Sequence, residues 1–142
     1  MKTYDLERFV KAQEHDYSVA LAEIRAGHKE SHWIWYIFPQ LEELGRSHMA
    51  KFYGINDIDE ARAYLAHPVL GARLKEICEA LMQLKSSDPS EVMGGFPDDL
   101  KLQSCMTLFA AISDESSVFH RVLDKFFAGQ QDAHTLSLIR QD

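Results

Sequence analysis

The segment from residue 98 to residue 112 constrains the fold most, because apolar residues cover nearly the whole circumference of the helix it would form. They are Leu100, Leu102, Cys105, Met106, Leu108, Phe109, Ala110, Ala111 and Ile112. A surface helix keeps its apolar residues in one stripe, whereas a helix that is apolar on all sides is buried. We therefore predict that Phe96-Pro97-Asp98-Asp99 opens a helix that runs to about Ile112 through the middle of the domain.

The rest of the chain supplies amphipathic helices that would surround this one. Periodicity and capping residues predict helices at about Asp5–Gln13, from Asp16 to a left-handed cap at Gly27, at Glu30–Ile37, at Asp57–Leu65, from Pro68 to about Leu84, as a single turn from Asp88 to Gly94, at Glu115–Ala128, and as a last short helix capped by Asp132. Leu41–Ile55 has no regular pattern. We expect about six to eight helices and no strand. The predicted fold class is all-α: residues 1–142 form a single-domain irregular helical bundle with one central helix enclosed by the others.

Composition excludes several classes of partner. The chain of 142 residues fits one domain of ordinary size, and its net charge of −7, with no basic block, argues against binding nucleic acid or an anionic membrane surface. The longest apolar run, Trp33–Phe38, is far shorter than the roughly 20 residues of a membrane span. The N-terminus turns polar where a signal peptide would turn apolar, so we expect a cytoplasmic protein.

Two cysteines and two histidines bear on metal and disulfide chemistry. Cys78 and Cys105 each lie in an apolar helical pattern and are expected to fill the core as free thiols. His28 and His32 are spaced as metal ligands on one helix face would be, but the intervening stretch 27–31 is expected to be a helix junction and no Glu follows His28 in the zinc-protease pattern. We predict no metal and no cofactor, with His32 either lining a pocket or serving a structural role.

The aromatic stretch from Ser31 to Gln40 is the second strong feature. It holds both tryptophans of the chain and ends at Pro39, and so much ring surface must form core, a binding wall, or both. Trp33 and Trp35 are two residues apart and cannot point the same way on a helix. One is therefore expected in the core and the other toward a partner element or cleft, while Gln40 presents its amide in a direction fixed by the proline.

These motifs together resemble a small, mainly bacterial family, catalogued as a domain of unknown function and sometimes mislabelled calpastatin. The resemblance is carried by Phe38-Pro39-Gln40, by His67-Pro68-Val69-Leu70-Gly71, by Lys101-Leu102-Gln103-Ser104-Cys105-Met106-Thr107-Leu108-Phe109, and by Gly129 followed by Asp132 and Thr135-Leu136. It covers nearly the whole chain in order. The resemblance implies an all-helical fold with one enclosed helix and implies no reaction, cofactor or catalytic residue. The calpastatin label fits poorly, since that inhibitor is disordered and this sequence specifies a packed core.

The predicted central helix carries polar residues that need partners. A buried polar group costs about 1–3 kcal/mol when it is left without a partner, and a charge costs more. Lys101 would therefore reach outward or pair with Asp98 or Asp99, or Lys101 and Ser104 would face a pocket and hold an anionic or carbonyl-bearing ligand. A Ser-Lys nucleophile pair also fits their spacing, although no oxyanion-hole motif accompanies it. Gly45-Arg46-Ser47 and Gly94-Gly95 would let backbone approach a phosphate, but neither matches a phosphate-loop pattern.

Three functional hypotheses follow. The leading one is a pocket for a small anionic or nucleotide-like ligand, lined by the 31–40 aromatic block and the 98–107 helix, with six candidate residues: His32, Trp35, Gln40, Lys101, Ser104 and Asp132. The second is a non-catalytic interaction or homo-oligomerisation module, monomeric or homodimeric, in which exposed aromatics dock a partner helix or a second copy. The third is hydrolysis of a nucleotide-derived N-glycosidic bond with Asp98 or Asp132 as acid–base, because His67-Pro68-Val69-Leu70 resembles a segment of ADP-ribose-linked N-glycosidase domains.

Overall fold

The computed structural model describes residues 4–140, and within that range the chain forms nine α-helices and no strand. The helices are α1 (Glu7–Arg25), α2 (Ile34–Ile37), α3 (His48–Phe52), α4 (Ile58–Ala66), α5 (Leu70–Met82), α6 (Pro89–Met93), α7 (Asp98–Ala110), α8 (Val118–Phe127) and α9 (Ala133–Arg140). This confirms the all-α prediction, with one helix more than the largest number expected. None of these helices is both long and apolar enough to cross a membrane.

Helix α7 is the enclosed helix that its sequence predicts. It packs against α4, α6, α8 and α9, and the residues from Ser104 to Ala110 are all buried. Full burial of a side chain such as Leu108 or Phe109 stabilises the fold by about 1.5–3 kcal/mol, so this helix contributes much of the core. Its first turn differs, because Leu100 lies 48% exposed. One face of the N-terminal half of α7 therefore reaches the surface, while Leu102 stays in the core.

The first two predicted helices are in fact one. We predicted one helix to about Gln13 and another from about Asp16, but α1 continues through both. Gln13 is buried, and its side-chain amide donates to the Tyr36 carbonyl (2.7 Å) and to the Tyr64 hydroxyl (3.0 Å). A polar residue whose hydrogen bonds are satisfied thus occupies an inward position, where the helical pattern would place an apolar residue. Gly27 follows the helix with a φ of +87°, as predicted.

The aromatic stretch is less helical than expected, because its first residues bond to another helix. The predicted start at Glu30 is wrong, since α2 begins only at Ile34. The backbone amides of Glu30 and Ser31 donate to the Glu23 carboxylate (2.8 and 2.9 Å), and so does the Trp33 indole N–H (2.9 Å). The predicted end is right: Phe38, which precedes Pro39, has φ −123° and ψ 72°, outside the helical region.

The remaining boundaries follow the caps. Asp57 accepts from the Glu60 amide (2.8 Å) and starts α4, and Asp88 caps the short α6, which ends at the left-handed Gly94. Helix α8 begins at Val118 rather than at Glu115, because Ser117 supplies the cap. The irregular stretch 41–55 contains a 3₁₀ turn, α3 and one isolated bridge between Leu41 and Ile55.

Both cysteines are free and buried, as predicted. The Cys78 sulfur lies 3.7 Å from the Met106 sulfur, and burial raises the pKa of the Cys78 and Cys105 thiols. Thiols held in the protonated form inside an apolar core act as packing groups rather than as nucleophiles.

Candidate functional site

A cleft of about 450 Å³ opens where the N-terminal half of α7 reaches the surface. We call it the α7 cleft. Its walls come from three segments: residues 40–50, residues 96–104 and residues 132–134. The segments that start α3, α7 and α9 meet here, so side chains distant in the sequence converge on one space of the size that small-molecule sites have.

Lys101 lies at the centre of this arrangement. Its side chain is 22% exposed and lines the cleft, and its ammonium nitrogen lies 5.7 Å from the centre of the Trp35 ring and 3.9 Å from an Asp98 oxygen. Trp35 is half-buried and contacts Lys101 without lining the cleft itself. Two of the expected roles therefore coexist, because Lys101 pairs loosely with Asp98 and also faces a pocket.

Asp98 has a second and closer partner that the sequence did not reveal. The Lys29 ammonium lies 2.7 Å from Asp98, donates to the Ser31 carbonyl (2.6 Å) and sits 5.0 Å from the Trp33 ring. The Lys29 side chain is only 6% exposed. No periodicity marks Lys29, which follows the Gly27 cap among polar neighbours, so only the tertiary fold identifies it.

The loop that carries Lys29 is held in place by its own contacts. The Lys29 amide donates to the Val92 carbonyl (2.7 Å), and Glu23 accepts from the 30–33 segment as described above. Burial disfavours the charged form of Glu23, but the hydrogen bonds from Ser31, Glu30 and Trp33 outweigh it and hold the pKa of this carboxyl at about 2. This loop therefore fixes Lys29, and through Lys29 it fixes Asp98 beside Lys101.

The other polar groups of the cleft differ in whether they already form hydrogen bonds within the protein. The Ser104 hydroxyl, which is 7% exposed, donates to the Leu100 carbonyl (3.1 Å), so it does not pair with Lys101 as a nucleophile would. Asp132 caps α9 by accepting from the Thr135 amide (2.9 Å) and hydroxyl (2.5 Å). The side-chain amide of Gln40 makes no hydrogen bond within residues 4–140 and is available to a ligand.

Two further basic side chains in the cleft lay outside the candidate set. Arg46 and His134 are exposed, and their side chains form no ion pair or hydrogen bond with any residue in the described range. Arg46 had a weak signal in Gly45-Arg46-Ser47, whereas nothing in the sequence marks His134. The cleft thus gathers Arg46, Lys101 and His134 against Asp132 in a chain whose net charge is −7.

The structure brings together most of the predicted site residues. Gln40, Lys101, Ser104 and Asp132 line the α7 cleft, and Trp35 contacts Lys101. His32 does not belong to this group, because its side chain is exposed and does not line the cleft. The late start of α2 explains this, since it leaves His32 in the loop ahead of the helix.

A second depression of about 500 Å³ lies at the start of α8. One of its cations is already neutralised, because Arg121 pairs with Glu79 (3.1 Å), and two acidic side chains, Glu79 and Asp114, are on the lining. No group of three or more His, Cys, Asp or Glu residues within 4–140 is arranged to hold a metal ion. The α7 cleft is therefore the stronger candidate site.

Comparison with known proteins agrees with the family resemblance. Residues 3–139 match the family described as "Protein of unknown function (DUF1810)". A crystal structure of the conserved hypothetical protein Rv1873 from Mycobacterium tuberculosis is 44% identical, with a TM-score of 0.93 over 96% of this chain and 97% of that one. No curated protein shows a significant match. The fold is thus shared over nearly the whole length, and neither description assigns an activity.

Proposed function

The chain belongs to the DUF1810 family, and from the geometry of its cleft we propose that it binds a small anionic ligand, of the carboxylate, phosphate or nucleotide-like kind. The observation that carries this proposal is the convergence of Arg46, Lys101 and His134 on one cleft in an acidic protein. The positive charges of Arg46 and Lys101 repel one another across the cleft, so their arrangement is favoured when an anion neutralises it.

The polar groups between the cations suit the same ligand. The unbonded amide of Gln40 would donate to an anionic oxygen, and Ser47 lines the same wall. Lys101 is only loosely paired, since 3.9 Å is beyond the usual distance of a charge-assisted hydrogen bond. An incoming anion therefore gains a strong contact at Lys101 while Asp98 keeps its short ion pair with Lys29.

The two rival hypotheses have less support. The interaction module relied on an exposed remnant of the aromatic block, yet Trp33, Tyr36 and Phe38 are buried and only Trp35 is partly accessible. The hydrolase hypothesis needs a carboxyl group free to exchange protons, whereas Asp98 is shared by two lysines and Asp132 caps a helix. Neither rival gains a specific observation in its favour.

A thermal-shift screen with Lys101→Ala alongside tests the proposal. A ligand present at about a hundred times its Kd stabilises the folded state by about 2.7 kcal/mol, which raises the melting temperature by several degrees. We expect at least one of phosphate, pyrophosphate, AMP or a dicarboxylate to produce such a shift in the unsubstituted protein, and Lys101→Ala to abolish it.

The matched control is Lys85→Ala, which removes one exposed positive charge outside the cleft lining. It should keep the full shift. If no anion raises the melting temperature, or if Lys101→Ala and Lys101→Gln respond like the unsubstituted protein, the proposal is wrong.

A further inference from the structure

Phe96 is the most exposed of the large apolar side chains in the described range, at 80%, and it lies on the rim of the α7 cleft. Leu100, 48% exposed, lines the same cleft. The other exposed large apolar residues, Val19, Phe52 and Val69, do not line it. An apolar surface therefore borders the cationic one.

The Phe96 ring has no packing role within the described part of the chain. It stacks on no other ring there, whereas Phe52, the other exposed phenylalanine, contacts the rings of Tyr53 and His48. A ring kept in water gives up most of the free energy that its burial would provide. Its exposure beside a cleft is the pattern of a surface that is covered when a ligand binds.

The backbone under Phe96 is well fixed. Gly94 and Gly95 have φ of +81° and +98°, and the Gly95 amide donates to the Ser90 carbonyl (2.8 Å). Beyond Phe96, the Asp99 amide donates to the Gly95 carbonyl (3.1 Å) at the start of α7. The ring is therefore presented from a defined position, and a ligand would order only its two side-chain torsions.

Building on the anion-binding function proposed above, we propose that the ligand is an aromatic anion of nucleotide size. Its ring lies against Phe96 and Leu100, and its anionic group lies between Arg46 and Lys101. A bare phosphate or a small carboxylate would leave the apolar rim in water. A nucleic acid strand is disfavoured by the net charge of −7, and a cavity of about 450 Å³ suits a single small molecule.

Isothermal titration with four probes tests this assignment: AMP, phenyl phosphate, ribose 5-phosphate and adenosine. Stacking of a base on an aromatic side chain commonly accounts for a tenfold or larger change in affinity. We expect AMP to bind at least about tenfold more tightly than ribose 5-phosphate, a difference of about 1.4 kcal/mol, and adenosine to bind more weakly than AMP. Comparable binding of phenyl phosphate would assign the ring contact to aromatic anions in general.

The variants separate this inference from the proposal beneath it. Phe96→Ala should reduce the affinity for AMP to that for ribose 5-phosphate and leave ribose 5-phosphate unaffected, while Phe52→Ala changes neither. Both residues are at least half exposed, so neither substitution removes core packing. If AMP and ribose 5-phosphate bind equally and Phe96→Ala has no effect, the ring contact is refuted while anion binding stands. If none of the anionic probes binds, both proposals fail.

Discussion

Replacement of Lys29 by methionine is the substitution whose effect the structure specifies most closely. It removes a nearly buried ammonium group that has three partners: the Asp98 carboxylate at 2.7 Å, the Ser31 carbonyl at 2.6 Å and the Trp33 ring. Methionine is similar in length and keeps the apolar part of the side chain in place. The loss therefore comes from the ammonium contacts alone.

The magnitude follows from what each partner retains. Breaking a buried ion pair typically costs about 3–5 kcal/mol, because the remaining charge is left buried without a partner. Here Asp98 is one-fifth exposed and still has Lys101 at 3.9 Å, so the carboxylate is not stranded and the cost is lower. We expect Lys29→Met to reduce the free energy of unfolding by about 2 kcal/mol, which lowers the melting temperature by roughly 4–8 °C in a domain of this size.

Denaturant unfolding of Lys29→Met, of Asp98→Asn and of the Lys29→Met/Asp98→Asn double variant measures the contribution of this ion pair directly. The double variant should lose less stability than the sum of the single variants, with a coupling of about 1–2 kcal/mol. Lys85→Met is the exposed control. If Lys29→Met is no more destabilising than Lys85→Met, or if the two single effects simply add, the ion pair does not hold the loop to α7.

Two further predictions test the loop and the α4–α5 junction. The pKa of Glu23 is lowered from its ordinary 4.5 to about 2, so its charge stabilises the fold at pH values above 4.5, and this contribution is lost as the pH falls toward 2. After allowance for solvent screening, the contribution amounts to roughly 1 kcal/mol. Urea unfolding between about pH 6 and pH 3 should therefore show a steeper loss of stability for the unsubstituted protein than for Glu23→Gln, and parallel curves would contradict the assignment. Gly71→Ala should reduce the free energy of unfolding by about 3 kcal/mol or prevent folding, because the added Cβ would lie 2.0 Å from the Leu65 carbonyl oxygen. Thermal melting followed by circular dichroism measures this loss. A loss of less than about 1 kcal/mol would mean that the junction between α4 and α5 can shift.

The sequence predicts those parts of the fold in which one local pattern decides the outcome. Apolar residues cover nearly the whole circumference of α7, so the burial of most of this helix follows from its own pattern. The caps at Asp57, Asp88 and Asp132 are local hydrogen bonds between residues close in the chain. The same holds for the left-handed Gly27, whose position after the helix is enough to predict it.

The errors occur where a distant group satisfies the backbone or a polar side chain. Gln13 looks like a helix break, but Tyr36 and Tyr64 provide its partners. Glu30 looks like a helix start, but its backbone amide donates a hydrogen bond to the Glu23 carboxylate. No sequence period contains this information, because each partner comes from another element.

The residues of the candidate site also form two groups: those that a local sequence pattern selects and those that only the fold brings to the cleft. Lys101 and Ser104 could be selected because polar residues in a buried helix need an explanation, and they line the cleft. Lys29 and His134 could not, and Arg46 had only the weak signal of Gly45-Arg46-Ser47, because their importance depends on which segments the fold brings next to α7. His32 was expected to line the pocket as part of the aromatic block, but it lies in the loop ahead of α2 and its side chain is exposed.

We place the bound anion between residues 40–50, the N-terminal half of α7 and the start of α9. A ¹H–¹⁵N NMR titration with AMP maps this directly on a chain of 16.3 kDa. We predict saturable shifts concentrated at the amides of Gln40, Arg46, Lys101 and His134, and their loss in Lys101→Ala. Shifts concentrated instead around the depression at the start of α8, or no saturable shifts at all, would contradict the claim.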